Sequence, residues 1–429
     1  MRTITHRIPG LILIDHTYTL PIDYAQPNGG SLTVFAREVV APEHEHDDLP
    51  WLVFFQGGPG FGSPRPETSL EWVMHAIKTY RVLLLDQRGT GRSTPITPQT
   101  LARLSTPERQ AAYLKHFRAD NIVRDAEAIR RELIGDRTWS ALGQSYGGFC
   151  ITTYLSQAPQ GLREAFITGG LPPINHHPDD VYRCTYRRVR GKNQKYFERY
   201  PDDVQRAHDI ADYLANNDVR LPDGTRLSVR RFQQLGMQFG ASDGFEKIHY
   251  LLEEAFVDGA HGREISLAFL RGYDHLMPFE PNPIYALFQE PIYCEGTAAD
   301  WSAERIRAEY PEFDYAPDRP VLFTGEMIYP WMFDEYAALR PLKEVAHLLA
   351  ADADWPPLYD KAVLQQNTVP VAAAMYYDDM YVERALSEET ASCIKGLKVW
   401  ATSEYEHNAL RVDGARVLGR LMDMLHGKA

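Results

Sequence analysis

The sequence predicts an α/β protein: a mostly parallel central sheet flanked by helices, with a large, mainly helical cap inserted in the core. Three observations carry this. Apolar runs that end in glycine recur, as in "WLVFFQGG" and "RVLLLDQRG", and such runs suit strands buried on both faces of a parallel sheet. They alternate with helical segments, which implies βαβ units. The alternation stops near Leu171 and resumes at "TVPVAAAMYYDD". One core, 1–172 and 361–429, therefore brackets a cap at 173–360.

Taken in order, "GLILIDHTYTLPIDY" and "SLTVFAREVVA" are β-rich, and the turn material "QPNGGS" between them predicts a hairpin. "APEHEHDDLP" predicts a loop. Its Glu43, His44, Glu45 and His46 alternate on a flexible segment without fixed ligand geometry, so they read as solvated side chains rather than metal ligands. "WLVFFQGG" and "RVLLLDQRG" supply two strands. "DNIVRDAEAIRREL" sets Ile122, Val123, Ala126, Ile129 and Leu133 on one helical face. "RTWSALGQS" is a strand, "GFCITTYLSQAP" a helix stopped near Pro159, and "REAFITGG" a further strand. Helical patterns such as "PDDVQRAHDIADYLANN" and "EKIHYLLEEAF" fill the cap. The core then closes with the strand "TVPVAAAMYYDD", the helix "SEETASCI", the strand "LKVWATSEYEH" and the helix "GARVLGRLMDMLH".

With 429 residues, 44% hydrophobic and 24% charged, the chain has an ordinary globular composition and exceeds one average domain. A net charge of −13 without any Lys/Arg block argues against nucleic acid as a partner. Cys150, Cys184, Cys294 and Cys393 lie far apart with no C-x-x-C pair, so neither a metal ribbon nor a disulfide framework is expected. "MRTITHRIPG" has no apolar signal core, and no run reaches the ~18 apolar residues of a membrane span. The expectation is a cytoplasmic protein without a membrane partner; oligomeric state is not legible.

The chemistry centres on "LGQSYGGFC". Gly143, Ser145 and Gly147 form G-x-S-x-G between a strand and a helix, the setting of a nucleophile elbow. A serine nucleophile needs a base, and the base needs an orienting acid, in the chain order Ser, Asp or Glu, His. Beyond the cap, His347 lies in the helical "KEVAHLLA" and His426 in the C-terminal tail. His407 follows a strand in the loop "EYEHN", where a base from the sheet's carboxyl edge belongs. Asp378 and Asp379 follow the preceding strand; Asp379 is the first choice as acid and Asp378 the second. An oxyanion hole needs backbone N–H donors. Tyr146, directly after the serine, supplies one, and the glycine loop "FFQGGPGFG" the other, with Gly58 favoured. "GGPGFG" lacks the G-x-G-x-x-G spacing of a dinucleotide site. "NHHPDD" is not expected to hold metal, Cys150 reads as a packed core thiol, and Arg92 as an internal ion-pair partner. The serine system needs neither metal nor cofactor.

"QGGPG" (Gln56–Gly60), "DQRGTGRS" (Asp86–Ser93) and "GQSYGG" (Gly143–Gly148), followed by "YYDDM" and "EYEHN", together resemble the prolyl aminopeptidases (proline iminopeptidases) of the α/β-hydrolase superfamily, in their longer branch with an enlarged cap. Gln56 stands where many relatives carry His, Tyr146 where shorter ones commonly carry Trp, and Tyr376 and Tyr377 replace a glycine-containing turn before the acid. Counted from Pro370, Asp379 falls where the shorter relatives place theirs.

The resemblance implies release of an N-terminal residue, preferentially proline, from small peptides with a free N-terminus. The cationic amine then needs a carboxylate in a closed pocket. Glu290 in "LFQEPIYCEG" is the first candidate, in a segment whose rhythm resembles the amine-binding segment of relatives. Glu326 in "FTGEMIYPWMF" is the second, and Glu254 is a weaker one. A di- or tripeptidyl aminopeptidase, an esterase or amidase on the same fold, and a non-catalytic binding protein are the alternatives.

Overall fold

The computed structural model describes residues 2–260 and 262–428. Its strands are β1 (Arg2–Ile8), β2 (Leu11–Pro21), β3 (Ser31–Val40), β4 (Trp51–Phe55), β5 (Arg81–Asp86), β6 (Trp139–Gln144), β7 (Leu162–Thr168), β8 (Phe256–Gly259), β9 (Gly262–Ile265), β10 (Val371–Tyr376) and β11 (Lys398–Thr402). Nine of them form one sheet in the order β1-β2-β3-β5-β4-β6-β7-β10-β11. β1, β2, β3 and β5 pair antiparallel, and from β5 to β11 every neighbour is parallel.

The strand period of two divides the core between the two faces of the sheet. On β4, Val53 and Phe55 enter one cluster while Leu52 and Phe54 enter the other. Helices Ala119–Ile134 and Tyr146–Gln157 cover the first face; Glu71–Ala76 and Gly414–Leu425 cover the second. Between β7 and β10 lie the helices of the inserted segment, including Pro178–Arg199, Asp203–Asn216 and Gly244–Glu253. Its buried residues join the first cluster.

Two elements depart from the expectation. β1 is an edge strand on which every residue is exposed, so no buried face imposes an apolar pattern. The inserted segment is not wholly helical: β8 and β9 form a small antiparallel hairpin after helix Gly244–Glu253.

"DQRGTGRS" ties the core together. Arg88 is buried and holds Asp125 with two hydrogen bonds, at 2.7 and 2.5 Å. Asp86 accepts from the backbone N–H groups of Ser63 and Arg92, both at 2.8 Å. The Arg92 guanidinium pairs with Asp15 at 2.5 Å. No helix among the described residues is long and apolar enough to cross a membrane.

Candidate active site

Because β4, β6, β10 and β11 run parallel, their carboxyl ends share one edge of the sheet. Each opens into a segment with a candidate residue: Gln56–Gly60, Ser145, Asp379 and His407 respectively.

At Ser145 the chain turns from strand into helix, with φ 56° and ψ −125°. That region holds strain of about 1–3 kcal/mol for a non-glycine residue. The Ser145 N–H donates to the Thr168 carbonyl at 2.9 Å and its carbonyl accepts from Gly148 N–H at 2.7 Å, which fixes the turn. The neighbouring glycines are dictated by space. A Cβ on Gly143 would collide with the Gly147 carbonyl, and one on Gly147 with the Phe55 carbonyl.

The His407 backbone N–H donates to the Gly240 carbonyl at 3.1 Å, and its ring stands edge-on to Tyr381. Nδ1 of His407 lies 2.6 Å from Oδ2 of buried Asp379. The other oxygen, Oδ1, accepts from the N–H groups of Tyr381 (2.8 Å) and Val382 (3.1 Å), so this carboxylate is held on both sides. Asp378 points elsewhere, to Lys195 at 2.5 Å and Arg188 at 3.6 Å. Burial works to lower the His407 pKa, but the charge and hydrogen bond of Asp379, with Glu326 and Glu406, outweigh it and raise it above the usual value. His347 instead accepts from Trp301 on the surface, and His426 reaches Glu164.

Ser145 and His407 line one cavity of about 280 Å³, with Gly57 and Gly58 on its wall. Gly58 adopts φ +126°, a conformation that favours glycine. Gln87 donates from Nε2 to the Gln56 carbonyl at 3.0 Å and steadies this loop. Tyr146 is the first residue of its helix, where the backbone N–H has no intrahelical acceptor; its side chain is buried beside Phe149.

The inserted segment supplies the facing wall, and here the two glutamates separate. Glu326 lines the cavity with Tyr285 and Tyr381. Its carboxylate accepts from the Tyr285 hydroxyl and, at 3.0 Å, from Gln289 Nε2. Burial pushes its pKa up to about 7, against the lowering effect of these donors and of His407. Glu290 does not line the cavity. Its two oxygens accept the backbone N–H groups of Ser302 (3.1 Å) and Ala303 (2.8 Å), at the start of helix Ser302–Arg307. The first choice for an amine-binding carboxylate is therefore corrected: Glu290 caps a helix. Glu254 is exposed, outside the cavity.

Sequence reading missed Tyr285, Gln289 and Tyr381 as partners of the site. Tyr381 and Gln289 stand in "YYDDMY" and "LFQEP" beside candidate carboxylates, and Tyr285 two residues before the latter, with nothing in the pattern to single them out. "NHHPDD" is spent on internal contacts: His177 caps helix Pro178–Arg199, and Asp179 pairs with Arg305 at 2.5 Å. Cys150 is fully buried, and burial pushes its thiol pKa well up.

A nucleophile-elbow serine at the carboxyl edge of this sheet belongs to the α/β-hydrolase class, and the family model described as "alpha/beta hydrolase fold" matches residues 50–217. Across nearly its full length the chain is similar to two proline iminopeptidases. One, from Aeromonas sobria, is 50% identical over 416 residues, 97% of each chain. The other, proline iminopeptidase aneH from Aspergillus aculeatus, is 38% identical over 412 residues, 94% of this chain and 91% of that one. The chain belongs to the proline iminopeptidase family.

Proposed function

We propose that the protein is a serine exopeptidase that releases an N-terminal residue, preferentially proline, from small peptides. Ser145 Oγ attacks the first peptide carbonyl as Nε2 of His407 takes its proton, and Asp379 holds the imidazole through Nδ1. The backbone N–H groups of Gly58 and Tyr146 receive the oxyanion. The C–N bond then breaks, and the departing amine takes the proton from His407. Water, deprotonated by His407, attacks the acyl-enzyme; the C–Oγ bond breaks and Ser145 regains its proton. In this reading 173–360 acts as the substrate-binding cap on a core formed by 1–172 and 361–429.

The observation that carries this reading is a half-buried carboxylate, Glu326, on the same cavity as Ser145 and His407, close enough for the His407 charge to act on its titration. An esterase pocket has no use for such a charge. A free N-terminal amine does, and Phe61, Tyr285 and Tyr381 offer apolar surface to a pyrrolidine ring. That the two near-full-length relatives are named proline iminopeptidases favours the same substrate. The test compares proline-, alanine- and tripeptide-linked chromogenic amides with a simple ester. Highest kcat/KM on the proline amide is expected; turnover of the ester alone, or of the tripeptide amide alone, would sink the reading.

A further inference from the structure

A second cavity, of about 200 Å³, adjoins the catalytic one. Gln56, Gln144, Asn408 and Arg411 line both. Its remaining wall is apolar, with Phe54, Leu70, Trp72 and Leu410. The two cavities therefore share a wall next to Ser145, and one helical turn beyond His407, in helix Ala409–Val412, Arg411 borders both.

Arg411 is unusual among the arginines around it. It is exposed, and its guanidinium has no hydrogen-bond acceptor and no carboxylate within 4 Å among the described residues. Asp243, whose titration Arg411 influences, is taken by Lys247 at 2.7 Å. Further along, Arg416 is paired with Glu404 at 2.6 Å. Among the described residues that line either cavity, Arg411 is the only one with a permanent positive charge. Glu326 is the only carboxylate. The catalytic cavity thus has a negative group from the inserted segment and a positive one from the core, with Ser145 on the same lining.

We propose that Arg411 binds the free α-carboxylate of the leaving peptide, and that the second cavity holds that peptide's first side chain, with preference for an apolar one. This rests on the proline-releasing reading of Ser145 and Glu326. A short peptide is a zwitterion, and the two groups orient it: ammonium to Glu326, carboxylate to Arg411, scissile carbonyl to Ser145. A guanidinium fork meets a carboxylate with two parallel hydrogen bonds. An extended residue spans about 3.5 Å, and Arg411 lines the same cavity of about 280 Å³ as Ser145, so the leaving group whose carboxylate it meets is a short one. Arg411 is in this way a determinant of substrate length, and it touches no reacting atom.

The experiment measures kcat and KM for prolyl-alanine, prolyl-alaninamide and proline 4-nitroanilide, with the wild type, Arg411→Gln and Arg411→Lys. Arg411→Gln should lower kcat/KM for prolyl-alanine by about 10- to 100-fold, mainly through KM, the range expected for a charge-assisted hydrogen bond. The amide and the anilide, which lack the carboxylate, should change less than about threefold, and Arg411→Lys should recover part of the loss. An equal loss on all three compounds, or no loss on prolyl-alanine, overturns the assignment. Wild-type turnover of the anilide reports on the proline-releasing reading alone. Its absence overturns both readings, whereas its presence with an indifferent Arg411→Gln overturns only this one.

Discussion

Glu326→Gln isolates a charge from a shape. Glutamine keeps the volume of Glu326 and an oxygen for the Tyr285 hydroxyl; it loses the negative charge that would face an N-terminal ammonium, and its amide nitrogen no longer accepts from Gln289 Nε2. Two unit charges about 3 Å apart attract by about 5 kcal/mol at an effective permittivity of about 20. Removing one partner of a buried pair costs about 3–5 kcal/mol. Because the amide still offers the ammonium an oxygen, the lower figure applies, about 3 kcal/mol, or about 100- to 200-fold in kcat/KM. The assay pairs proline 4-nitroanilide with 4-nitrophenyl cyclopentanecarboxylate at pH 8, above the pKa of about 7 to which burial pushes Glu326. The ester has the same ring size without the nitrogen, so it should lose less than about threefold. An equal fall on both compounds would mean that Glu326 acts through His407, whose titration it also influences. No fall on the anilide would remove the amine-site assignment altogether.

The same two groups set the acid limb of the pH profile. His407 must be neutral to accept a proton, and its pKa is raised, so activity falls as pH drops through a value above the usual histidine one. Glu326 must be charged to hold the amine, and it gains a proton as pH drops through about 7. With the amine substrate, kcat/KM should therefore fall about 100-fold per pH unit well below both pKa values; with the cyclopentane ester, or in Glu326→Gln, it should fall about tenfold per unit. Matching slopes in all three would contradict the shared cavity. Asp379→Asn should lower kcat by about 10³- to 10⁴-fold, as loss of the orienting acid does elsewhere, while Asp378→Asn weakens contacts with Lys195 and Arg188 and should change kcat less than about twofold. The reverse ranking would reinstate Asp378 as the acid. Glu290→Gln leaves one of two capped N–H groups unmet and should lower stability to denaturant by about 1–3 kcal/mol at neutral pH. Its kcat/KM on the proline anilide should stay within about threefold of wild type, and a fall like that of Glu326→Gln would return Glu290 to the amine.

Where local rules decide the outcome, the sequence is legible. The inner parallel strands β4 and β10 are continuous apolar runs because both faces are buried, and the glycines around Ser145 are required by backbone contacts within a few residues or across one strand pair. The order of Ser145, Asp379 and His407 follows from parallel strands that open at one edge. β1 is not legible because nothing it buries constrains its pattern. The amine wall is not legible because Glu326, Tyr285 and Gln289 sit in separate short segments of the insertion and meet only through its tertiary packing. Asp378 and Asp379 are identical in type and adjacent, so only the direction of the turn after β10 separates them.

Glu290 and Glu326 make the same point about charge. Glu290 is buried and Glu326 half-buried, both are pushed by desolvation to a pKa of about 7, and both lie beside aromatic residues of the insertion. A perturbed carboxyl is thus no guide by itself to where a substrate binds. The difference lies in what faces the oxygens. Glu290 has two backbone N–H donors at the start of a helix, one on each oxygen, and does not border the catalytic cavity. Glu326 has two side-chain donors, a hydroxyl and an amide, and borders the space in front of Ser145. Side-chain donors can turn to accommodate an incoming ammonium, whereas backbone donors fixed in a helix cannot. Of the two, Glu326 alone borders the catalytic cavity with partners able to turn, and on that ground we propose it, and not Glu290, for the N-terminal amine.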